Sequence, residues 1–493
     1  MPTRPACLVL GAGPAGLTAA HELTRAGRAC RVVESDPEYV GGIARTVVYK
    51  GFRFDLGGHR FFTKNPEVER LWREFLPEGL LEVQRMSRIY YGGRFFDYPL
   101  RASNALANLG LGKSALCLLS CMHRRLLPIR PERSFRDWVS NRFGDRLFRT
   151  FFESYTEKVW GLSCEEISAD WAAQRIRGLS LLGAVRGMFS SRPARRNGEV
   201  VKTLVDRFLY PRLGPGMMWE AVRDRVQQAG GAVEMDRTVT SLEHDGTAVR
   251  CVVCRDRRGR THRFPAGEVI SSIPLRELVL GLDPPPPPEI RSAARALRYR
   301  DFITVALILD RPDPFPDNWI YVHEPAVKVG RVQNFRSWSR EMVPHADRSV
   351  LGLEYFCFQG DGLWSASDAA LLERGRRELE RIGLLGAGEV VDGTVVRVAK
   401  AYPLYDEGYR ANVDRIRRWL ARLGNLRPAG RNGMHKYNNQ DHSMMTALLC
   451  ARNLLGTDAR DPWRVNTDAI YHEEIREDHD IAGRDSPRPL TEA

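Results

Sequence analysis

The chain has 493 residues, a formal net charge of +13, 43% apolar and 27% charged side chains. That length exceeds one compact core and suits two or three domains, and the composition excludes a disordered, collagenous or coiled-coil protein. With no run of about eighteen apolar residues, no integral membrane segment is expected; the stretch 6–10 is too short for a signal peptide, so a cytoplasmic location is expected.

Only eight of the 74 cations are lysine, so the charge is arginine charge, and the planar guanidinium suits phosphates. No arginine run alternates with aromatics and no nucleic-acid motif occurs, which points to a small anionic partner rather than nucleic acid. The nine cysteines are scattered; Cys251 and Cys254 form the only CxxC, without a second pair, so no metal site is expected.

In chain order, a buried strand is expected over 6–10, a helix over 14–26 and a second strand over 31–34, a Rossmann opening. From about 67 to 190 the pattern is mainly helical. The apolar stretch 105–127 reads as a packed helix pair rather than a membrane contact, because Gly110, Gly112 and nearby arginines interrupt it. Gly112-Lys113-Ser114 is no phosphate loop, since Ala107 stands where the first glycine belongs. A helix and alternating strands follow up to the VISSIP segment, Val269 to Pro274. After a stiff spacer, Pro284 to Pro288, segments at 302–309, 319–322, 329–334 and 350–358 suggest an antiparallel sheet. A turn and helix over 430–455 precede a charged tail expected to be flexible.

Gly11-Ala-Gly13-Pro-Ala-Gly16 with Glu34 eighteen residues on carries the first chemistry. Gly11 permits the turn, Gly13 lets backbone approach a pyrophosphate, and Gly16 lets helix and strand close up. The helix N-terminus attracts the phosphates, and Glu34 can accept a ribose hydroxyl. Gly41-Gly42-Ile-Ala-Arg45-Thr46, followed by Asp55-Leu56-Gly57-Gly58-His59, resembles the second fingerprint of FAD enzymes of the amine oxidase and protoporphyrinogen oxidase superfamily. Arg45 can neutralise the pyrophosphate. No second framed GxGxxG exists, so FAD is the expected cofactor and NAD(P)H at most an external reductant.

Within that superfamily the chain resembles the UDP-galactopyranose mutases in several places. Gly57-Gly58-His59-Arg60-Phe61-Phe62-Thr63-Lys64 is similar to their flavin-side segment, and Tyr155-Thr-Glu-Lys158-Val-Trp160-Gly161 to the motif framing the uridine. Tyr210-Pro-Arg212-Leu-Gly214-Pro-Gly216 matches a further loop, and Gly430-Arg431-Asn-Gly433 with Tyr437 matches their C-terminal motif. The resemblance implies that Arg431 lies beside the flavin, that Tyr437, Tyr402 and Arg331 face the substrate diphosphate, and that Arg175 is a mobile-loop arginine. It also implies that His59 lies at the flavin. Phe62, Val159 and Asn439 depart from the pattern; Asn439 stands where the family has an acid, with Asp441 close by.

These resemblances imply a GR-type Rossmann-like FAD fold, α/β overall, with a helical insertion and an antiparallel sheet domain. FAD-binding parts are expected at 1–66, 200–275 and 401–460, a mainly helical cap at 67–199, an antiparallel substrate sheet at 276–400 and the tail at 461–493. The implied activity is interconversion of pyranose and furanose forms of a nucleotide-diphosphate sugar, in which reduced flavin N5 attacks the anomeric carbon. An FAD-dependent oxidase, dehydrogenase or desaturase is the alternative, and a homodimer is the assembly considered.

Overall fold

A computed structural model describes residues 6–98, 108–169 and 207–466, with 104, 203–204 and 474–475 as isolated pieces. Arg175 and most of the charged tail lie outside the described residues.

Strand β1 (Cys7–Leu10), helix α1 (Pro14–Arg25) and strand β2 (Cys30–Val33) open the chain. In a five-stranded parallel sheet, β1 lies between β2 and Val269–Ser271; Ala232–Glu234 and Leu426–Pro428 form the edges. Both faces are covered, so β1 is apolar throughout instead of alternating. Cys7 and Val9 enter the core formed with α1, while Leu8 and Leu10 enter the opposite core, with Leu278 and Ile416. The VISSIP segment supplies the strand Val269–Ser271 beside the central β1, and the helix Gln440–Leu455 packs on α1.

The second large sheet has seven strands, in the order Val390–Pro403, Tyr299–Leu309, Ser349–Cys357, Arg331–Asn334, Trp319–Val322, Ser87–Tyr91 and Arg94–Asp97. Its pairings are antiparallel except Trp319–Val322 with Ser87–Tyr91. Tyr299–Leu309 sends Phe302, Ala306 and Ile308 to one core and Ile303, Val305 and Leu307 to the other, the two-residue period of a strand covered on both sides.

The segment expected to be mainly helical opens on a helix, Pro66–Phe75, but then holds three strands: Leu80–Gln84, which pairs with Arg207–Pro211, and the two that extend the large sheet. Helices Leu111–Leu126, Phe135–Phe143 and Ser154–Trp160 follow. The expected packing of the 105–127 stretch is met on one face only. Ser114, Cys117 and Cys121 are buried, while Leu116, Leu119 and Leu126 point to solvent.

Candidate active site

A cavity of about 730 Å³ runs from the β1–α1 turn to the large sheet. At its nucleotide end, Gly11 has φ +96, a conformation that favours glycine, and a Cβ on Gly16 would overlap the Gly11 carbonyl oxygen. Gly13 and Gly42 face each other; a Cβ on Gly42 would stand 3.4 Å from Gly13 Cα and fill the cleft between them. Gly13 is the N-cap of α1 and supplies no side-chain cap, so the first-turn amides remain available to an anion. A cradle bare of side chains beneath a helix N-terminus fits a dinucleotide pyrophosphate.

Glu34 is nearly buried and already engaged. Its Oε2 accepts the Ala12 N–H at 2.6 Å, and Oε1 accepts Ser35 Oγ at 3.0 Å and the Asp36 N–H at 2.9 Å. It thus ties the glycine turn to the loop after β2. Arg45 lines the cavity, 3.3 Å from Asp36 and over the Tyr39 ring.

Further along, Gly57 turns with φ +93, and Gly58 and His59 form part of the wall. His59 Nε2 lies 2.7 Å from the Leu56 carbonyl oxygen, and burial lowers its pKa to about 4. The imidazole is therefore neutral near pH 7 and is no general acid as an imidazolium.

At the far end Tyr402 and Tyr437 stack at 5.6 Å and 18°, with the Arg431 guanidinium over both rings. Arg431 is aimed by its bonds to the carbonyls of Asn438, 2.8 Å, and Ala401, 3.2 Å. Arg331 Nη2 donates to the Tyr402 hydroxyl at 3.0 Å and lies 2.5 Å from Glu354. His59, Arg331, Tyr402, Arg431, Tyr437 and Asn439 thus all line the same cavity, with Arg331, Tyr437 and Arg431 each in contact with Tyr402.

Tyr155 and Trp160 stand behind these side chains. Trp160 is 5% exposed and packs on Tyr402 and Tyr437 at 6.3 and 5.9 Å; Tyr155 stacks on His323 at 4.4 Å. Their helix is anchored by Arg300, which donates to the carbonyls of Lys158, Val159 and Phe356 and fills the space above Gly161. Asn439 is the N-cap of the final helix, its N–H donated to His442 Nδ1 at 3.3 Å, which gives it a structural duty as well.

Sequence reasoning missed Glu354, a lone carboxylate in the otherwise apolar strand Ser349–Cys357, which is itself a legible sign of a buried partner. Gln333 Nε2 also donates to it, at 2.9 Å. Burial pushes the Glu354 carboxyl up and Arg331 pulls it down, while Glu354 raises Arg331. Asp441, in the cavity wall, is pushed up to about 7 by burial. Arg60 adds a further cation to the wall, packed over Phe208 and Trp319.

The model of the flavin-containing amine oxidoreductases matches residues 14–454. The chain belongs to that family. A flavin is therefore its cofactor, in keeping with the glycine cradle. Two curated relatives, the coproporphyrinogen III oxidases of Mycobacterium leprae (strain TN) and Mycobacterium tuberculosis (strain ATCC 25618 / H37Rv), are each 26% identical, over 85% and 84% of this chain and 92% and 90% of theirs. The fold is similar to that of a reduced UDP-galactopyranose mutase, with a TM-score of 0.80 at 22% identity, over 94% of this chain and 97% of that one. Among the described residues no helix is long and apolar enough to cross a membrane.

Proposed function

We propose that the chain is an FAD-dependent nucleotide-sugar mutase that interconverts pyranose and furanose forms. The observation that carries this reading is the single wall formed by Arg331, the stacked pair Tyr402 and Tyr437, and Arg431. Gly11, Gly13, Gly42 and the N-terminus of α1 would hold the FAD pyrophosphate, with Arg45 beside it and Glu34 near the ribose. When bound and reduced, FAD supplies the electron-rich nitrogen that displaces the nucleotide diphosphate from the anomeric carbon.

The chain's own residues then have to keep the departing diphosphate in place so that it can return. Arg331 offers a guanidinium and the two tyrosines offer hydroxyls for its oxygens, contacts that strengthen as negative charge develops. Trp160 keeps the tyrosine pair in register from behind, and Arg175 is assigned to the diphosphate by resemblance alone. Neutral His59 shapes the flavin side without adding charge. The bound pose, not an acid–base residue, is the protein's contribution.

A second reading, net oxidation by FAD, is favoured by the two coproporphyrinogen III oxidase relatives. One anaerobic experiment separates the two. The dithionite-reduced protein is given UDP-galactose and a panel of other nucleotide sugars, and products are resolved by chromatography. A furanose product formed only with reduced flavin, without net consumption of reductant, is expected. No isomer from any sugar, together with bleaching of the oxidised flavin by coproporphyrinogen III, would replace the mutase with an oxidase.

A further inference from the structure

The helix Leu111–Leu126 is amphipathic in an inverted sense. At about 100° per residue, its buried Ser114, Cys117 and Cys121 lie on one side, and Leu116, Leu119, Met122 and Leu126 within about 120° on the other. Among the described residues ten large hydrophobic side chains are exposed, and five of them are on this helix and its C-cap: these four and Leu127. Leu119 is 56% exposed and Leu126 81%. Exposed apolar side chains scattered singly need no explanation, but a contiguous stripe on one helix face marks an interaction surface.

Charge identifies the partner. From 98 to 131 the sequence has no Asp or Glu, although the whole chain has 61. Exposed Lys113 and Arg125 flank the stripe on its two sides, with exposed His123 and Arg130 nearby. The acids on the adjoining elements are engaged with other groups. Asp145 pairs with Arg124 at 2.7 Å, Glu132 with Arg142 at 2.9 Å, and Asp137 closes the capping box with Ser134.

We propose that this helix docks the protein on an anionic lipid surface, lying in the plane of the interface. Its leucines would enter the headgroup–acyl boundary, and Lys113 and Arg125 would reach the phosphates from either side, the arrangement that lets long cationic side chains keep their heads in water. A second copy of the chain would bury the leucines equally well but gains nothing from an acid-free rim that is positive on both partners.

The test is co-sedimentation of the flavin-loaded protein with phosphatidylcholine vesicles containing or lacking 30% phosphatidylglycerol, alongside sedimentation velocity without lipid. Binding to the anionic vesicles alone, weakened by salt, is expected. Lys113→Glu with Arg125→Glu should lower the partition coefficient by roughly thirtyfold or more. Leu119→Gln with Leu126→Gln should also release the protein while its melting temperature holds, since both side chains are exposed. Absence of binding, or binding indifferent to both double variants, overturns the proposal. So does a lipid-free dimer that the leucine variants dissociate when no vesicle binding is seen, which assigns the stripe to a second copy.

Discussion

Arg331 and Glu354 face each other across adjacent antiparallel strands, in direct register, with their charged groups 2.5 Å apart and Glu354 almost wholly buried. The same Nη2 that meets the carboxylate also donates to the Tyr402 hydroxyl, so Glu354 holds the guanidinium against Tyr402 in the cavity wall. A buried guanidinium without this partner would be strongly disfavoured. Arg331→Ala is expected to abolish turnover while flavin absorbance is retained. Glu354→Ala should cost about 3–5 kcal/mol, because it leaves a buried cation uncompensated. Denaturant titration and flavin content, measured together, check this; an Arg331→Ala protein with unchanged turnover would remove Arg331 from the site.

Gly16 tests the nucleotide end. A Cβ there overlaps the Gly11 carbonyl oxygen, a backbone atom that cannot swing aside as a side chain would. Gly16→Ala is expected to drive α1 off β1 and yield protein purified with little flavin. Normal flavin content and an unchanged melting temperature would contradict the packing argument.

Trp160 sits behind the tyrosine pair rather than in the cavity wall. Trp160→Ala should therefore lower stability by about 3–5 kcal/mol and weaken nucleotide binding indirectly. Trp160→Phe, which keeps a ring against Tyr402 and Tyr437, should recover most of both. Isothermal titration with UDP beside thermal melts gives the comparison, and a dissociation constant unmoved in the alanine variant would disprove the coupling.

Asp441 makes stability depend on pH. Burial raises its native pKa to about 7, above the unfolded carboxylate value, so between those two values the native state binds more protons than the unfolded state. Stability contributed by the neutral form is complete below the unfolded value and is lost as pH rises through about 7. Asp441→Asn should remove that slope, improving by roughly 2–3 kcal/mol relative to wild type on going from pH 5 to pH 8. Chemical denaturation of both proteins at the two pH values reads the difference directly; parallel pH profiles would show that Asp441 is not the titrating group.

The glycine turn, the helix after it, Glu34 and the Gly41–Arg45 fingerprint were legible because each works through its own backbone within a few tens of residues. Four strands of the large sheet, Tyr299–Leu309, Trp319–Val322, Arg331–Asn334 and Ser349–Cys357, were legible as short apolar runs, a property of consecutive residues; the edge strand Val390–Pro403 was not. The hairpin Ser87–Tyr91 and Arg94–Asp97 also had a local sign, the Gly92-Gly93 turn with φ 58 and 73, which the surrounding helical pattern obscured. Its place in the sheet had none, because it is fixed by parallel pairing with Trp319–Val322, more than two hundred residues away. The inward position of Trp160, the Glu354 partner of Arg331 and the solvent-facing leucines of Leu111–Leu126 were likewise decided by the tertiary structure. Sequence periodicity tells which residues share a face; only the packing of distant segments decides whether that face meets a core, a cavity or water.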